Sequence, residues 1–272
     1  MRIVICAKEV LDPDAVNAYA VAGRLRVGDD SRTLISGGVP VLMNAYDEQG
    51  IEAALRLRDS GAECNIVVVT AGTASASFVR RAASLGVDEI IVIPTADASL
   101  DTLALGTVLS RYIEQSGGAD LVLCGRQASD DDQGVVPAVI GERLGLPVIP
   151  MARDVRLADT DEGGVIEVTR VTPDGDEEVM CALPAVVTVS NELGSPRYPS
   201  GAAMMAARRK QPVTVPPADL GLDNGQLVPR VTLRRMFVPQ VQGNCEFLDG
   251  ETPREQAAHL LARLRTDGLV PA

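Results

Sequence analysis

Short apolar runs, mostly β-branched, recur along the first two thirds of the chain: RIVIC at 2–6, NIVVVT at 65–70, EIIVI at 89–93, DLVLC at 120–124 and AVVTVS at 185–190. They are nearly continuous in apolarity instead of alternating, the pattern of strands covered on both faces, which occurs almost only in parallel sheets. Helical patterns lie between them. EQGIEAALRLRDSG at 48–61 places Ile51, Ala54, Leu55 and Leu57 on one stripe, ASFVRRAASLG at 76–86 ends on a C-cap glycine, and LDTLALGTVLSRYIEQSGG at 100–118 turns Leu103, Leu105, Val108, Leu109 and Ile113 inward. Strands alternating with helices over short connections predict an α/β fold, a doubly wound and mainly parallel sheet. From about residue 151 the texture changes, and GGVIEVTRVTPDGDEEVMCALP predicts an antiparallel hairpin around PDGD at the sheet edge.

After residue 193 the composition shifts again: nine of the 17 prolines fall in the last 79 residues, more than a compact core would use. Two regions are therefore expected, an α/β domain over 1–193 and an extended C-terminal arm over 194–272. The arm ends in ETPREQAAHLLARLRTDG, where Thr252 can cap, Pro253 sits at the first helical position and Glu255 completes a capping box. Ala257, Leu260, Leu261 and Leu264 form one apolar stripe on a helix too short to be stable alone, so it is expected to dock on a partner.

Composition excludes several classes. No apolar run approaches the roughly 20 residues of a membrane span, and MRIVICAKEV enters a strand at once without a signal-peptide pattern, so no membrane insertion and a cytoplasmic location are expected. A net charge of -12 argues against nucleic acid. Five cysteines without CxxC spacing suggest neither a metal site nor a disulfide framework. Cys6 and Cys124 read as small core residues before nucleophiles, and His259, the single histidine, reads as a solvated surface residue. No catalytic constellation is visible.

The segment that bears on function is CGRQASDDDQG at 124–134, at the carboxyl end of the fourth run, where open α/β sheets bind ligands. A helix from about Gln133 would point its unpaired N–H groups and positive dipole end into this loop. Asp130, Asp131 and Asp132 then stand where acids are favoured as caps and first-turn residues, so capping acids and a ligand loop are both open readings. Gly125 and Gly134 permit close backbone approach, without a GxGxxG or P-loop pattern.

VICAKEVLDPDA at the start, MNAYDEQGIEAALRL at 43–57, LVLCGRQASDDD at 121–132, LPAVVTVSNELGSPRYPS at 183–200 and MMAARRKQ at 204–211 resemble, in order and spacing, the β subunit of electron-transfer flavoproteins. The resemblance covers nearly the whole chain. It implies an adenine-nucleotide-binding, Rossmann-like domain and a heterodimer with a flavin-carrying α subunit, FAD being held in that complex. In this subunit it implies AMP or, in electron-bifurcating members, a second FAD. The further partner is a dehydrogenase or another redox protein, and the chain is an electron-carrier subunit rather than a stand-alone enzyme, with NADH-dependent flavin reduction in the bifurcating case. Carried over by position, the nucleotide contacts are Cys6, Ala7, Asn44, Ala71, Thr102, Gly125, Arg126, Gln127, Ala128, Asp130, Gln133, Gly134, Val135 and Val136. The phosphate would rest on the amides of 133–136.

Two departures stand out. The family's DGDTxQVGP is DDDQGVVP here, one residue shorter, and Gly201 replaces the leucine that anchors the dehydrogenase after PRY. MNAYDEQ, Asp101 with Thr102, and the tail MFVPQVQGNCEFLDGETPREQAAHLL resemble bifurcating members. A nucleotide-binding sensor or stress protein on the same scaffold, without redox chemistry, is the competing expectation.

Overall fold

A computed structural model describes residues 1–95, 100–158, 164–222, 225–239 and 245–271. Residues 240–244 of the bifurcation-like tail segment, and 223–224 and 272 of the expected arm, lie outside the described residues. In chain order the elements are β1 Arg2–Cys6, β2 Glu9–Leu11, α1 Pro13–Val21, β3 Arg26–Val27, β4 Leu34–Ile35, β5 Val41–Met43, α2 Ala45–Asp59, β6 Asn65–Ala71, α3 Ala76–Leu85, β7 Glu89–Ile93 and α4 Thr102–Gln115. They continue with β8 Leu121–Gly125, α5 Val136–Leu144, β9 Val148–Leu157, β10 Val165–Thr172, β11 Gly175–Ala182, β12 Ala185–Val189, α6 Gly201–Ala207, β13 Val213–Thr214 and α7 Pro253–Thr266.

Nine strands form one sheet in the order β11-β10-β9-β12-β8-β1-β6-β7-β13, and all neighbours from β9 to β13 run parallel. The expected hairpin, β10 with β11, closes one edge antiparallel. This is the doubly wound α/β fold. The apolar runs are continuous because successive residues feed two cores. Ile3, Ile5, Ile66, Val68, Leu121 and Leu123 pack with Ile51, Leu55 and Phe78 of α2 and α3. Val4, Cys6, Val67, Val69, Val122 and Cys124 pack with Val108, Leu109, Ile113 and Ile140 of α4 and α5. A strand that alternates between two covered faces has no polar side to show.

The winding reverses at the middle of the sheet. From β1 the chain proceeds outward through β6 and β7, then returns to lay β8 on the other side of β1. The carboxyl ends of β1 and β8 therefore diverge to opposite faces and open a crevice between them.

Two compact units divide the chain, Met1–Met236 and Phe237–Ala272. The first includes the beginning of the expected arm, because β13 adds parallel to β7 and Leu220 and Leu222 are buried in the α4–α5 core. In the second unit, α7 starts with the expected capping box, Thr252 accepting from the Glu255 amide while the Glu255 carboxylate accepts from the Thr252 amide. Arg263 pairs with Glu246 and Asp267. None of the residues of α7 is buried.

Candidate functional site

The crevice holds a cleft of about 170 Å³. Its wall comes from the loop after β1 (Cys6, Ala7, Lys8), the start of α2 (Asn44, Asp47), the end of β6 (Ala71), α4 (Thr102, Leu105, Leu109) and the stretch from β8 into α5. Of the residues expected from the sequence, Cys6, Ala7, Asn44, Ala71, Thr102, Gly125, Gln127, Ala128, Gln133, Gly134, Val135 and Val136 all line it. Arg126 and Asp130 stand beside the wall instead. The Arg126 amide donates to Val189 O at 2.9 Å, and its guanidinium lies 5.9 Å from the Tyr46 ring centroid.

The helix after β8 begins later than the sequence suggests. It runs from Val136 with Val135 as N-cap, not from Gln133, because Gly134 takes a left-handed φ of 61° that breaks the helical path. A Cβ at Gly134 would also lie 2.4 Å from Arg126 O, so the turn folds back tightly onto the end of β8. The result is a short run of free donors. Among the described residues, the amides of Gly134, Val135 and Val136 find no acceptor, and the amide of Gln133 has only a long 3.4 Å contact with Asp131.

The capping role allowed for the three aspartates is corrected by the same geometry. α5 has neither an acidic residue in its first turn nor a side-chain cap, so the acids sit in the loop, one turn too early to cap it. Each has its own task. Asp130 pairs with the Lys8 ammonium at 2.8 Å, linking the β8 loop to the β1 loop. Asp132, with a left-handed φ of 52°, accepts from the Gln127 side chain at 2.7 Å. Asp131 alone faces the cleft.

Two side chains hold the loops together. Asn44 is 1% exposed; its amide nitrogen donates to Gln127 O at 2.9 Å, its side-chain oxygen accepts from the Ser129 amide at 3.3 Å, and its own N–H donates to Lys8 O at 3.0 Å. Asp47 accepts from the Lys8 amide at 2.9 Å and the Gly125 amide at 3.1 Å. Burial pushes its carboxyl up to about 7, against the lowering effect of its hydrogen bonds. Gly125 is required here, since a Cβ would meet Asp47 Oδ1 at 2.5 Å and Tyr46 Cβ at 2.7 Å. Thr102 donates to the Gln133 side chain at 2.7 Å and so ties α4 to the mouth of the cleft.

Cys6 and Cys124 are directly opposite in the β1–β8 register and buried, core residues that also floor the cleft. Contact with Cys6 first, and then burial, push the Cys124 thiol up, which leaves it protonated and unreactive. His259 is exposed on α7, with Nδ1 2.6 Å from Asp249 O. Sequence reasoning missed Lys8, Asp47, Leu105, Leu109, Cys124, Asp131 and Pro137 as wall residues. Asp47 had a signal, since it lies inside MNAYD, but a carboxylate at a phosphate-type site reads as repulsive until its burial is known. No helix among the described residues is long and apolar enough to cross a membrane.

The electron transfer flavoprotein domain matches residues 32–220. The chain is 32% identical, over 99% of its length and 100% of the relative's, to the caffeyl-CoA reductase-Etf complex subunit CarD of Acetobacterium woodii. It is 28% identical to the electron transfer flavoprotein subunit beta of Megasphaera elsdenii, covering 94% of both chains. To the subunit of the same name from Thermoanaerobacterium thermosaccharolyticum it is 33% identical, over 84% of this chain and 83% of that one. The chain belongs to the electron transfer flavoprotein β-subunit family.

Proposed function

We propose that this electron transfer flavoprotein subunit forms a heterodimer with a flavin-carrying α subunit in the cytoplasm. In this reading its β1/β8 cleft holds a nucleotide, AMP or a second FAD, and the complex carries electrons between a dehydrogenase and an acceptor. The observation that carries the reading is the set of unpaired amides of Gly134, Val135 and Val136 at the mouth of a cleft placed at the sheet's switch point. Such donors suit a phosphate, with Leu105, Leu109 and Ala71 offering a ring an apolar wall. The cleft, at about 170 Å³, is smaller than the roughly 300–1,000 Å³ of ordinary ligand pockets, so part of any nucleotide would lie outside it, toward the partner. A bound flavin supplies the redox chemistry; this chain's residues bind, orient and exclude water.

The partner-facing features differ from the family pattern. Gly201 opens α6 where a leucine is usual, and the exposed apolar side chains nearby are Tyr198, Met204 and Met205. These are proposed to contact the dehydrogenase. An electron-bifurcating form is the second reading, favoured by MNAYDEQ at 43–49 and by Asp101 with Thr102.

Cofactor counting tests both readings. The purified heterodimer should release a nucleotide, AMP or FAD, from this subunit on denaturation. Two FAD per dimer with NADH-dependent flavin reduction would support bifurcation, whereas one FAD with one AMP would leave a simple shuttle. A homodimer without flavin would overturn the electron-transfer proposal in favour of a sensor.

A further inference from the structure

We propose that the cleft takes up a proton when it takes up an anionic nucleotide, and that Asp47 is the group that receives it. The inference rests on the nucleotide reading of the cleft and adds a coupling that the reading does not require.

Asp47 is a wall residue of the cleft yet only 6% exposed. Its two oxygens are held separately, Oδ2 by the Lys8 amide and Oδ1 by the Gly125 amide, so the carboxyl cannot turn away from an arriving ligand without releasing both loops. The groups around it come from each neighbouring element. The loop after β1 brings Lys8, whose ammonium is engaged by Asp130 of the β8 loop. β1 and β8 bring the thiols of Cys6 and Cys124, the latter protonated. On α2 the next acid, Glu48, is neutralised by Arg81 at 2.8 Å, and Arg126 lies over Tyr46. Among the described residues lining the cleft, Lys8 is the only cation, set against Asp47 and Asp131.

An anion therefore enters a place where positive charge is already committed and one carboxyl is poorly solvated. Burial pushes that carboxyl up to about 7, so near neutral pH it exists in both forms. A phosphate settling on the amides of 134–136 repels the ionised form only, and the equilibrium responds by protonation. Protonated, Asp47 keeps an oxygen for each amide and gains a donor. Asp131, the other acid of the wall, is exposed to water.

The test is calorimetric titration of the full chain with AMP at pH 8, in two buffers of different ionisation heat. At this pH the phosphate, whose second pKa is about 6, is already a dianion and exchanges almost nothing. The wild type should take up roughly half a proton per AMP bound, and its affinity should fall several-fold between pH 7 and pH 8.5. Asp47→Asn should abolish the uptake and flatten the pH profile. Should that variant fail to fold, the wild type alone decides: its uptake must fade below about pH 6 and give way to net release, as the phosphate sheds its own proton. AMP binding without proton exchange at pH 8 would overturn the inference while leaving the nucleotide site intact. Absence of binding by AMP and by FAD alike would overturn both.

Discussion

The body at Met1–Met236 and the segment from Phe237 are opposites in how sequence becomes structure. In the body the strands carry little local instruction; RIVIC would be a strand, a buried helix turn or an aggregation hazard without the layers that cover it. Its stability comes from burying both faces of five consecutive parallel strands. In the segment around α7 the local instruction is complete, with cap, capping box, first-turn proline and Arg263 and Arg265 in the last turn, yet no residue of α7 is buried. Boundary signals fix where a helix begins and ends, while burial decides how stable it is. A 14-residue helix with no buried face is marginal in water.

The largest expected effect strikes the site through its backbone. Gly134→Pro removes one of three free amides and forces a φ near −65° where the chain holds 61°, so nucleotide retention by the purified protein should be abolished. Asp131→Asn leaves every amide in place and should shift retention by no more than about threefold, toward tighter binding. Equal losses in the two variants, read as nucleotide released on denaturation, would show that side chains rather than amides hold the ligand. Gly125→Val comes next. Its Cβ falls within 2.5 Å of Asp47 Oδ1, and the body should lose about 3 kcal/mol in urea unfolding while peptide helicity of 245–271 is unchanged.

The division between local and long-range instruction also explains what was legible in the sequence. The five apolar runs became β1, β6, β7, β8 and β12, and the PDGD hairpin became β10 and β11, because continuous apolarity and turn chemistry are local. β9, whose burial alternates irregularly over Val148–Leu157, was not legible; it is parallel to β12 on one side and antiparallel to β10 on the other, a position set by neighbours. β13 is two residues long and exists because β7 offers an edge. Most wall residues were legible through resemblance. The roles of the aspartates were not, since Asp130 meets Lys8, 122 residues away, only after the sheet is wound.

Titration sharpens the comparison further. Asp47 has its folded-state pKa raised by burial from 3.8 to about 7, so the folded body holds a proton that the unfolded chain has released between those values. Stability from this group is therefore greatest at low pH and falls as pH rises from about 4 to 7, by a few kcal/mol at most. Glu52 has the opposite sign. Burial would raise it, but hydrogen bonds from Arg197 and Arg56 outweigh burial and lower it, so its contribution is lost as pH falls through the acid range. Urea midpoints of Asp47→Asn against wild type from pH 4 to 8 should converge at the acid end and separate, with the variant the more stable, toward neutrality. A wild-type advantage that grows with pH would mean that the carboxylate's two amide bonds exceed its desolvation.

The smallest effects belong to the C-terminal segment. Deleting 250–272 should leave the urea midpoint of the body unchanged within about 0.5 kcal/mol, because α7 contributes no buried residue, while affinity for the α subunit falls. Thr252→Ala is finer still. It removes the acceptor for the Glu255 amide and one half of the capping box, a change worth about 1 kcal/mol to the helix and nothing to the sheet. In the free chain the expected signs are faster amide exchange and proteolysis confined to 250–271. In the heterodimer, where a partner surface is proposed to order the helix, the same loss should appear as roughly fivefold weaker association. Should Thr252→Ala lower the body's urea midpoint by that amount instead, the helix is supported by the sheet, and the division between a core-stabilised body and a partner-stabilised tail fails.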